Sequence, residues 1–154
     1  MFARWLIRRP NNKDATMPAK CQPTIPGAVS KGAAARKMGS DIEQKASRWL
    51  KDQGLELVQS NYRCRLGEID LVMNHGPLLV FVEVRYRRRI DYGGAVASVD
   101  RRKQKKLRLA AAHFLAHNLR HSQRRCRFDV IAAQANANSA TIHWTWIRDA
   151  FGDY

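Results

Sequence analysis

The segment from Arg65 to Arg87 is the part of the chain that most narrows the choice of fold. It contains two runs rich in Val, Ile, Leu and Phe, residues 69–73 and 78–84, separated by a short polar insert that ends in Gly76-Pro77. Apolar runs of this length on either side of a Gly-Pro break are typical of two antiparallel strands joined by a tight turn. The segment therefore predicts a β-hairpin around which the remaining elements are arranged.

Acidic residues interrupt both runs at positions where a sheet ordinarily places apolar side chains. Side chains alternate between the two faces of a strand, so Glu83 and Arg85 share one face. Counting outward from the turn places Asp70 opposite Phe81 or Glu83, depending on the turn length or a bulge. Facing side chains have Cβ atoms about 4.5–5.5 Å apart, so the carboxylates of Asp70 and Glu83 are expected to lie side by side. The residues expected to cover the core from the other face are Ile69, Leu71, Met73, Val80, Val82 and Val84.

Two carboxylates at that separation repel each other unless a cation lies between them. Oxygen-rich acidic sites suit Mg²⁺ or Mn²⁺, so Asp70 and Glu83 are expected to bind one or two of these ions. Arg85 would add a fixed positive charge beside the metal. Carboxylates, a divalent ion and a cationic side chain together are suited to hydrolysing a phosphodiester bond.

The order of these residues resembles the PD-(D/E)xK nuclease superfamily, in which an acidic residue on one strand is followed by Glu-x-Lys on the next. More narrowly, Asn61-Tyr-Arg-Cys-Arg-Leu-Gly-Glu-Ile-Asp-Leu-Val with Val80-Phe-Val-Glu-Val-Arg resembles the YraN family of small nuclease-like proteins. The resemblance implies an α/β fold, a restriction-endonuclease-like core with a mixed five-stranded sheet flanked by helices. It extends from about Gly39 to Ala133 and includes Gly93-Gly94-Ala, Lys103 to Leu107 and Arg127-Phe-Asp-Val.

Glu43 has two interpretations. With Ser40 as N-cap, it completes a capping box at the start of a helix, which needs no other role. Archaeal Holliday-junction resolvases, to which the chain is similar, carry a Glu on the first helix that joins the metal site, and this resemblance implies the same role for Glu43. The expected catalytic residues are Asp70, Glu83, Arg85 and Glu43, and the expected metal ligands are Asp70, Glu83 and Glu43.

Arg85 departs from the superfamily pattern, because lysine is usual at its position. Arginine stays protonated at ordinary pH and cannot accept a proton from water, but it can hold a phosphate oxygen and offset charge in the transition state. The acidic pair and the resemblance to nucleases together predict a Mg²⁺-dependent endodeoxyribonuclease, with branched DNA among its candidate substrates. The alternative is a non-catalytic nucleic-acid-binding protein with a degenerate nuclease site.

The net charge favours a polyanionic partner. The 154 residues include 28 Lys and Arg against 13 Asp and Glu, a formal net charge of +15. Such an excess favours nucleic acid, DNA before RNA, over an anionic membrane surface. A solvated basic surface, or a basic module for a protein partner or membrane surface, stays open as an alternative. The cations expected to contact phosphates are Arg65, Arg87, Arg88, Arg89, Arg101, Arg102, Lys103 and Lys106.

Helical patterns flank the hairpin. The first helix is expected to begin at Ser40 and end near Gly54, and the second to run from Ser98, a good N-cap residue, to about Asn118. Further strands are expected at residues 55–63, 127–133 and 141–147. This order of helix, three strands, helix and two strands predicts a mixed sheet between helices.

Composition sets the expected domain boundaries. Residues 1–38 contain four prolines and polar runs without a lasting period, which predicts a basic, disordered tail. A nuclease-like domain is expected at residues 39–148, followed by a short tail at 149–154. Resolvase-like relatives commonly act as dimers, and the sequence itself leaves a monomer and a homodimer both open.

The cysteines and the apolar runs bear on location. Cys21, Cys64 and Cys126 are odd in number and lie far apart, which suits the reducing cytoplasm better than a disulfide scaffold. No apolar run reaches the length of a membrane span, so no integral membrane segment is expected.

Overall fold

The computed structural model describes residues 31–87, 99–135 and 141–151, with side chains described from Arg36 onward except that of Arg87. The described residues form helices on a five-stranded sheet. In chain order the elements are α1 (Lys31–Asp52), β1 (Glu56–Cys64), β2 (Gly67–His75), β3 (Leu78–Arg87), α2 (Arg101–His117), a 3₁₀ turn (Leu119–His121), β4 (Cys126–Ala135) and β5 (Ile142–Ile147).

The strands lie in the sheet in the order β1-β2-β3-β4-β5. The first three form an antiparallel meander, and β4 and β5 are also antiparallel. β3 and β4 pair in parallel because the chain crosses over through α2 between them. The predicted mixed sheet and the predicted order of elements are both confirmed.

Helices cover both faces of the sheet, so the core has two layers. α1 packs Ala46 and Leu50 on one face, and α2 packs Leu107 and Phe114 on the other. Strands buried on both faces read as nearly continuous apolar runs, which explains the composition of the hairpin. The hairpin side chains under α1 are Leu71, Met73, Val80 and Val82, and those under α2 are Ile69, Val72, Leu79 and Phe81.

Both helices begin at positions other than those predicted. α1 begins at Lys31, inside the segment assigned to the tail, so Ser40 lies within the helix and cannot be its N-cap. The Ala-rich stretch before Ser40 has high helix propensity, which extends the helix past the capping pattern. α2 begins at Arg101 with Asp100 as N-cap, and the predicted cap, Ser98, lies outside the described residues.

Some predictions about the whole chain lie outside the described residues. Residues 1–30 and 152–154 belong to the two predicted tails and are not among them, so the domain boundaries stay predictions. Within the described ranges, no helix combines the length and the apolar character needed to cross a bilayer. Cys64 and Cys126 are free thiols.

Candidate functional site

Asp70 and Glu83 meet where the hairpin opens. The ladder between β2 and β3 ends at the pair Leu71 and Val82, and one further step in the same register sets Asp70 against Glu83. There the Asp70 side chain replaces a ladder bond, because its Oδ2 accepts a hydrogen bond from the backbone N–H of Val84 at 2.8 Å. Of the two registers that the sequence leaves open, the structure has the one that sets the two acids opposite each other.

A second irregularity adjoins Asp70 on the β1 side. The ladder between β1 and β2 has paired residues before and after Asn61 and Asp70, but not at these two positions. Asn61 has a φ of 53°, a left-handed conformation in which Asn is enriched. The alternation of β2 is lost at the same point, since Ile69 packs under α2 and Leu71 under α1. The prediction that Ile69, Leu71 and Met73 share one face is therefore wrong.

Glu43 approaches the same point from α1. Burial and then the negative charge of Asp70 raise the pKa of Glu43, while a side-chain hydrogen bond with Asn61 and the charge of Arg63 lower it. Its Oε2 is buried and has no hydrogen-bond partner among the described residues. Because Ser40 is not an N-cap, the capping-box interpretation of Glu43 is wrong. Glu43 is therefore a carboxylate that lies close enough to Asp70 for the two negative charges to repel each other.

Glu83 is the most strongly perturbed acid of this group. It is only 3% exposed, and two cations approach its Oε1, the Nζ of Lys103 at 3.1 Å and the Nε of Arg85 at 3.3 Å. Burial, followed by repulsion from Asp70, raises the pKa of Glu83 to about 7, although both cations act against the rise. Burial also raises the pKa of Asp70, against the hydrogen bond from Val84 and the charge of Lys103. The protein therefore leaves these carboxylates short of positive charge.

We define the carboxylate site as Glu43, Asp70 and Glu83, and its donor atoms fit a divalent cation. All are oxygens, and Oε2 of Glu43 and Oε2 of Glu83 are buried without hydrogen-bond partners among the described residues. In the part of the chain that the structure describes, no three His, Cys, Asp or Glu side chains are grouped so as to hold an ion by themselves. Mg²⁺ usually keeps several waters and binds one or two carboxylates together with substrate phosphates, so an open site of this kind suits it.

The predicted phosphate contacts fall into separate groups around the carboxylate site. Lys103 is partly buried against Glu83, whereas most of the others point to solvent. The side chain of Arg87 and the whole of Arg88 and Arg89 lie outside the described residues. The exposed cations are Arg65, in the turn between β1 and β2, and Arg101, Arg102 and Lys106, in the first two turns of α2.

Three further residues shape the site although their sequence pattern had suggested no individual role for them, namely Glu68, Asn61 and Gly67. Glu68 raises the pKa of Asp70, and Asn61 forms the hydrogen bond with Glu43. Gly67 allows α2 to approach β2, because a Cβ at this position would lie 2.9 Å from a backbone oxygen of the helix. Glu68 could have been identified from the sequence, because a residue two positions before Asp70 on a strand is expected on the same face. The backbone conformation of Asn61 and the helix contact of Gly67 leave no such signal in a single sequence.

The fold and site together define a class of protein, a mixed α/β domain compatible with a restriction-endonuclease-like core, with acidic residues gathered where its hairpin opens. The model of the family described as "Uncharacterised protein family UPF0102" matches residues 42–133. The chain belongs to this family, and the predicted resemblance to the YraN family is confirmed.

Curated relatives named UPF0102 protein are similar to most of the chain. The protein from Alcanivorax borkumensis is 47% identical over 116 residues, which cover 75% of this chain and 92% of the relative. The protein from Aeromonas hydrophila is 47% identical over 138 residues, 89% of this chain and 96% of the relative. The protein from Xanthomonas campestris is 50% identical over 119 residues, 77% of this chain and 94% of the relative. These names carry no activity, so a function has to be argued from the site.

Proposed function

We propose that the protein binds nucleic acid, DNA in preference to RNA, and hydrolyses internal phosphodiester bonds with Mg²⁺ or Mn²⁺. The observation that carries this proposal is the facing pair of acids, half-buried Asp70 and buried Glu83, at the end of the β2–β3 ladder. The pKa values of both carboxyl groups are raised, which means that their ionised forms are less stable in the folded protein than in water. Such groups cluster at sites where function requires them, which supports a functional use here.

Asp70 and Glu83 would hold the ion, and Glu43 would support it from α1. When bound, a divalent ion polarises the phosphate and lowers the pKa of a coordinated water. The hydrogen bond from the backbone of Val84 keeps the Asp70 carboxylate oriented. Arg85 can hold a phosphate oxygen and offset transition-state charge, but it transfers no proton because arginine stays protonated.

The start of α2 supports nucleic acid as the substrate. Arg101 and Arg102 are exposed in the first helical turn, where positive charge opposes the helix dipole. Local helix stability therefore gives no reason for these cations, whereas a phosphate backbone crossing the helix start does. Neutralising phosphates releases counterions, so we expect the affinity to fall steeply with salt.

We also propose, from the resemblance to junction resolvases, that the DNA substrate is branched and that the protein acts as a homodimer. Action in the cytoplasm follows from the nucleic-acid partner and agrees with the free thiols of Cys64 and Cys126.

A second candidate function is nucleic-acid binding without cleavage. The observation that favours it is the pair of contacts from Lys103 and Arg85 to Oε1 of Glu83. These contacts supply positive charge that a metal would otherwise provide, so the site can persist without an ion. In that case the carboxylates would be retained for structure and binding alone.

A cleavage screen separates these candidates. The wild-type protein, Asp70→Asn, Glu83→Gln and a control, Asp52→Asn at the exposed end of α1, are incubated with duplex, single-stranded and branched DNA and with RNA, each with Mg²⁺ or Mn²⁺. We expect the wild type and the control to cut DNA, and both site variants to lose at least about 100-fold in rate while still binding. Salt-sensitive binding without cleavage by the wild type would select the second candidate. Binding that does not respond to salt would remove both and leave a basic module for a protein partner.

A further inference from the structure

Lys103 differs from the other cations of α2 in what it contacts. Its Nζ lies 3.1 Å from Oε1 of Glu83 and 4.0 Å from Oε1 of Glu68, and its side chain is 23% exposed. The neighbouring Arg102 and Lys105 are exposed. A cation directed onto an almost fully buried carboxylate is not part of a general basic surface. Lys103 therefore belongs to the carboxylate site, although it comes from a different element.

Two contacts fix the part of α2 that carries Lys103. The side chain of Asp100 caps the helix and accepts a hydrogen bond from the backbone N–H of Lys103 at 2.7 Å. One turn further, the carbonyl of Lys106 lies against Gly67 of β2, so closely that a Cβ on the glycine would be 2.9 Å from the carbonyl oxygen. The helix start is thereby held against the strand that carries Asp70, and the base of the Lys103 side chain has a defined position.

Lys103 and Arg85 bind the same oxygen of Glu83 from two different elements. One cation balances the charge of one carboxylate, yet both cations lie on Oε1 of Glu83, while Oε2 has no hydrogen-bond partner among the described residues. Lysine presents a compact charge with three rotatable donors, whereas arginine spreads its charge over a rigid plane. The ammonium group is therefore the one that can turn toward a nearby anion while the guanidinium stays on Glu83.

The formal charges of the carboxylate site and its two cations favour the binding of an anion beside Lys103. At full formal charge, the carboxylates of Glu43, Asp70 and Glu83 face two cations, Lys103 and Arg85, and leave one negative charge, while Glu68 is offset by Arg63. With one divalent ion the site becomes singly positive, which matches the single negative charge of a phosphodiester. Without Lys103 the same site would be neutral. The lysine therefore makes the difference between a neutral site and one that attracts phosphate.

We propose that Lys103 is a catalytic residue whose ammonium group binds a non-bridging oxygen of the phosphate being cleaved. This inference rests on the proposed hydrolysis and assigns within it a residue from outside the hairpin. In that reaction a water oxygen bonds to phosphorus, the bond from phosphorus to the leaving sugar oxygen breaks, one water proton goes to that oxygen and the other to solvent. Lys103 exchanges no proton in this scheme; it stabilises the charge that grows on the non-bridging oxygens.

The first test compares two lysines of one helix. Lys103→Met and Lys105→Met each remove one positive charge from the start of α2, but only Lys103 contacts Glu83. In single-turnover cleavage of saturating DNA with Mn²⁺, we expect Lys103→Met to lose at least about 100-fold in rate and Lys105→Met less than about threefold. Both should lose a similar, small share of affinity. Equal rates for the two variants would overturn the inference.

A double variant tests whether an ammonium group is what the site needs. In Arg85→Lys/Lys103→Met the lysine reaches Glu83 from β3 instead of α2, so we expect at least about tenfold of the lost rate to return. Lys103→Arg is the variant that keeps a cation on Glu83 and is therefore expected to stay folded. Thermal unfolding checks that each variant is folded. A double variant as slow as Lys103→Met, although folded, would contradict a role for the ammonium group.

A readout without cleavage separates this inference from the proposed function. Lysines labelled with ¹³C at Cε are followed by NMR while a short DNA duplex is added with Ca²⁺, and the Lys103 signal is assigned from its absence in Lys103→Arg. We expect the Lys103 signal to move more than that of Lys105. If the Lys103 signal moves but the wild-type protein never cleaves DNA, the proposed hydrolysis is overturned and the contact between Lys103 and phosphate is supported. An unmoved signal would overturn the contact whether or not DNA is cut.

Discussion

Arg127 donates two parallel hydrogen bonds to Asp129, from Nε to Oδ1 and from Nη2 to Oδ2, both at 2.8 Å. Asp129 is fully buried in β4 and also accepts hydrogen bonds from Nε1 of Trp146 and from the backbone N–H of Asp149, each at 2.9 Å. The same sheet thus contains one buried acid with all its partners inside the protein and a carboxylate site with unpartnered oxygens. This contrast separates a structural carboxylate from the candidate functional ones.

Removing the structural acid should cost much stability. Asp129→Ala leaves the Arg127 guanidinium, whose side chain is only 15% exposed, without its carboxylate partner, and breaking such a pair typically costs about 3–5 kcal/mol. Urea unfolding would measure the loss, with Asp52→Ala, an exposed acid, expected within about 0.5 kcal/mol of the wild type. A loss below about 1 kcal/mol for Asp129→Ala would mean that the four hydrogen bonds contribute little.

Replacing Glu83, an acid of the carboxylate site, should instead raise the free energy of unfolding. The pKa of Glu83 is raised from 4.5 to about 7, so the folded protein binds this proton more tightly than the unfolded chain does. Stability is therefore lost as the pH rises from about 4.5 through 7 and stays lost above that. Glu83→Gln removes the penalty, so we expect it to raise the unfolding free energy at pH 8, by at most about 3 kcal/mol, and to raise it less at pH 5.

The measurement for Glu83→Gln is thermal unfolding with a metal chelator, in parallel at both pH values. Glu68→Gln is the control, because its side chain is 53% exposed and should change the melting temperature little at either pH. A Glu83→Gln variant that is less stable than the wild type at pH 8 would show that the contacts from Lys103 and Arg85 outweigh burial.

Metal binding should be visible as stabilisation. An ion that binds the folded chain alone raises stability by about 2.7 kcal/mol at 100 times its Kd, so the melting temperature of the wild type should rise by several degrees with Mn²⁺ or Mg²⁺. Asp70→Asn should abolish this rise, while Asp52→Asn should keep it. A rise of the same size in Asp70→Asn would place the ion elsewhere on the protein.

The contact between Gly67 and α2 gives a test of packing. The Cβ of Gly67→Ala would lie 2.9 Å from the Lys106 carbonyl oxygen and 3.3 Å from its carbon, and helix backbone cannot turn aside as a side chain can. We expect a loss of about 1–3 kcal/mol. Gly39→Ala is the matched control, because its nearest contact is 4.0 Å away and alanine should stabilise α1 by about 0.5–1 kcal/mol. Equal effects of the two substitutions would mean that α2 can shift away from β2 freely.

The hairpin and the order of elements could be predicted because their signals are local. Apolar runs, a Gly-Pro break and helical spacing each report on a few neighbouring residues, and the order of elements follows from them. The facing of Asp70 and Glu83 was narrowed to two registers by the same local count. The choice between them depends on a two-residue turn in which Gly76 has a φ of 57°, which the pattern alone does not specify.

What the sequence could not supply depends on how distant elements pack. Lys103 was one of eight predicted phosphate contacts, and only the docking of α2 on β2 shows that it turns toward Glu83. The start of α1 was misplaced because Ser40 has a capping pattern but lies after an Ala-rich stretch that is itself helical. By contrast, the pairing of Asp129 with Arg127 follows from local spacing, since residues two apart on one strand share a face.

The irregularities of β1 have a consequence beyond the site, because β1 is an outer strand of the sheet. Val58 is an extra residue between those that pair with Met73 and Val72, and Asn61 follows with its left-handed backbone. A straight outer strand offers unpaired amides to other chains and promotes aggregation, whereas a bulged one does not. The distortion that brings Asn61 into contact with Glu43 thus also makes this edge a poor template for further strands, and we expect straightening it to promote aggregation as well as to disturb the site.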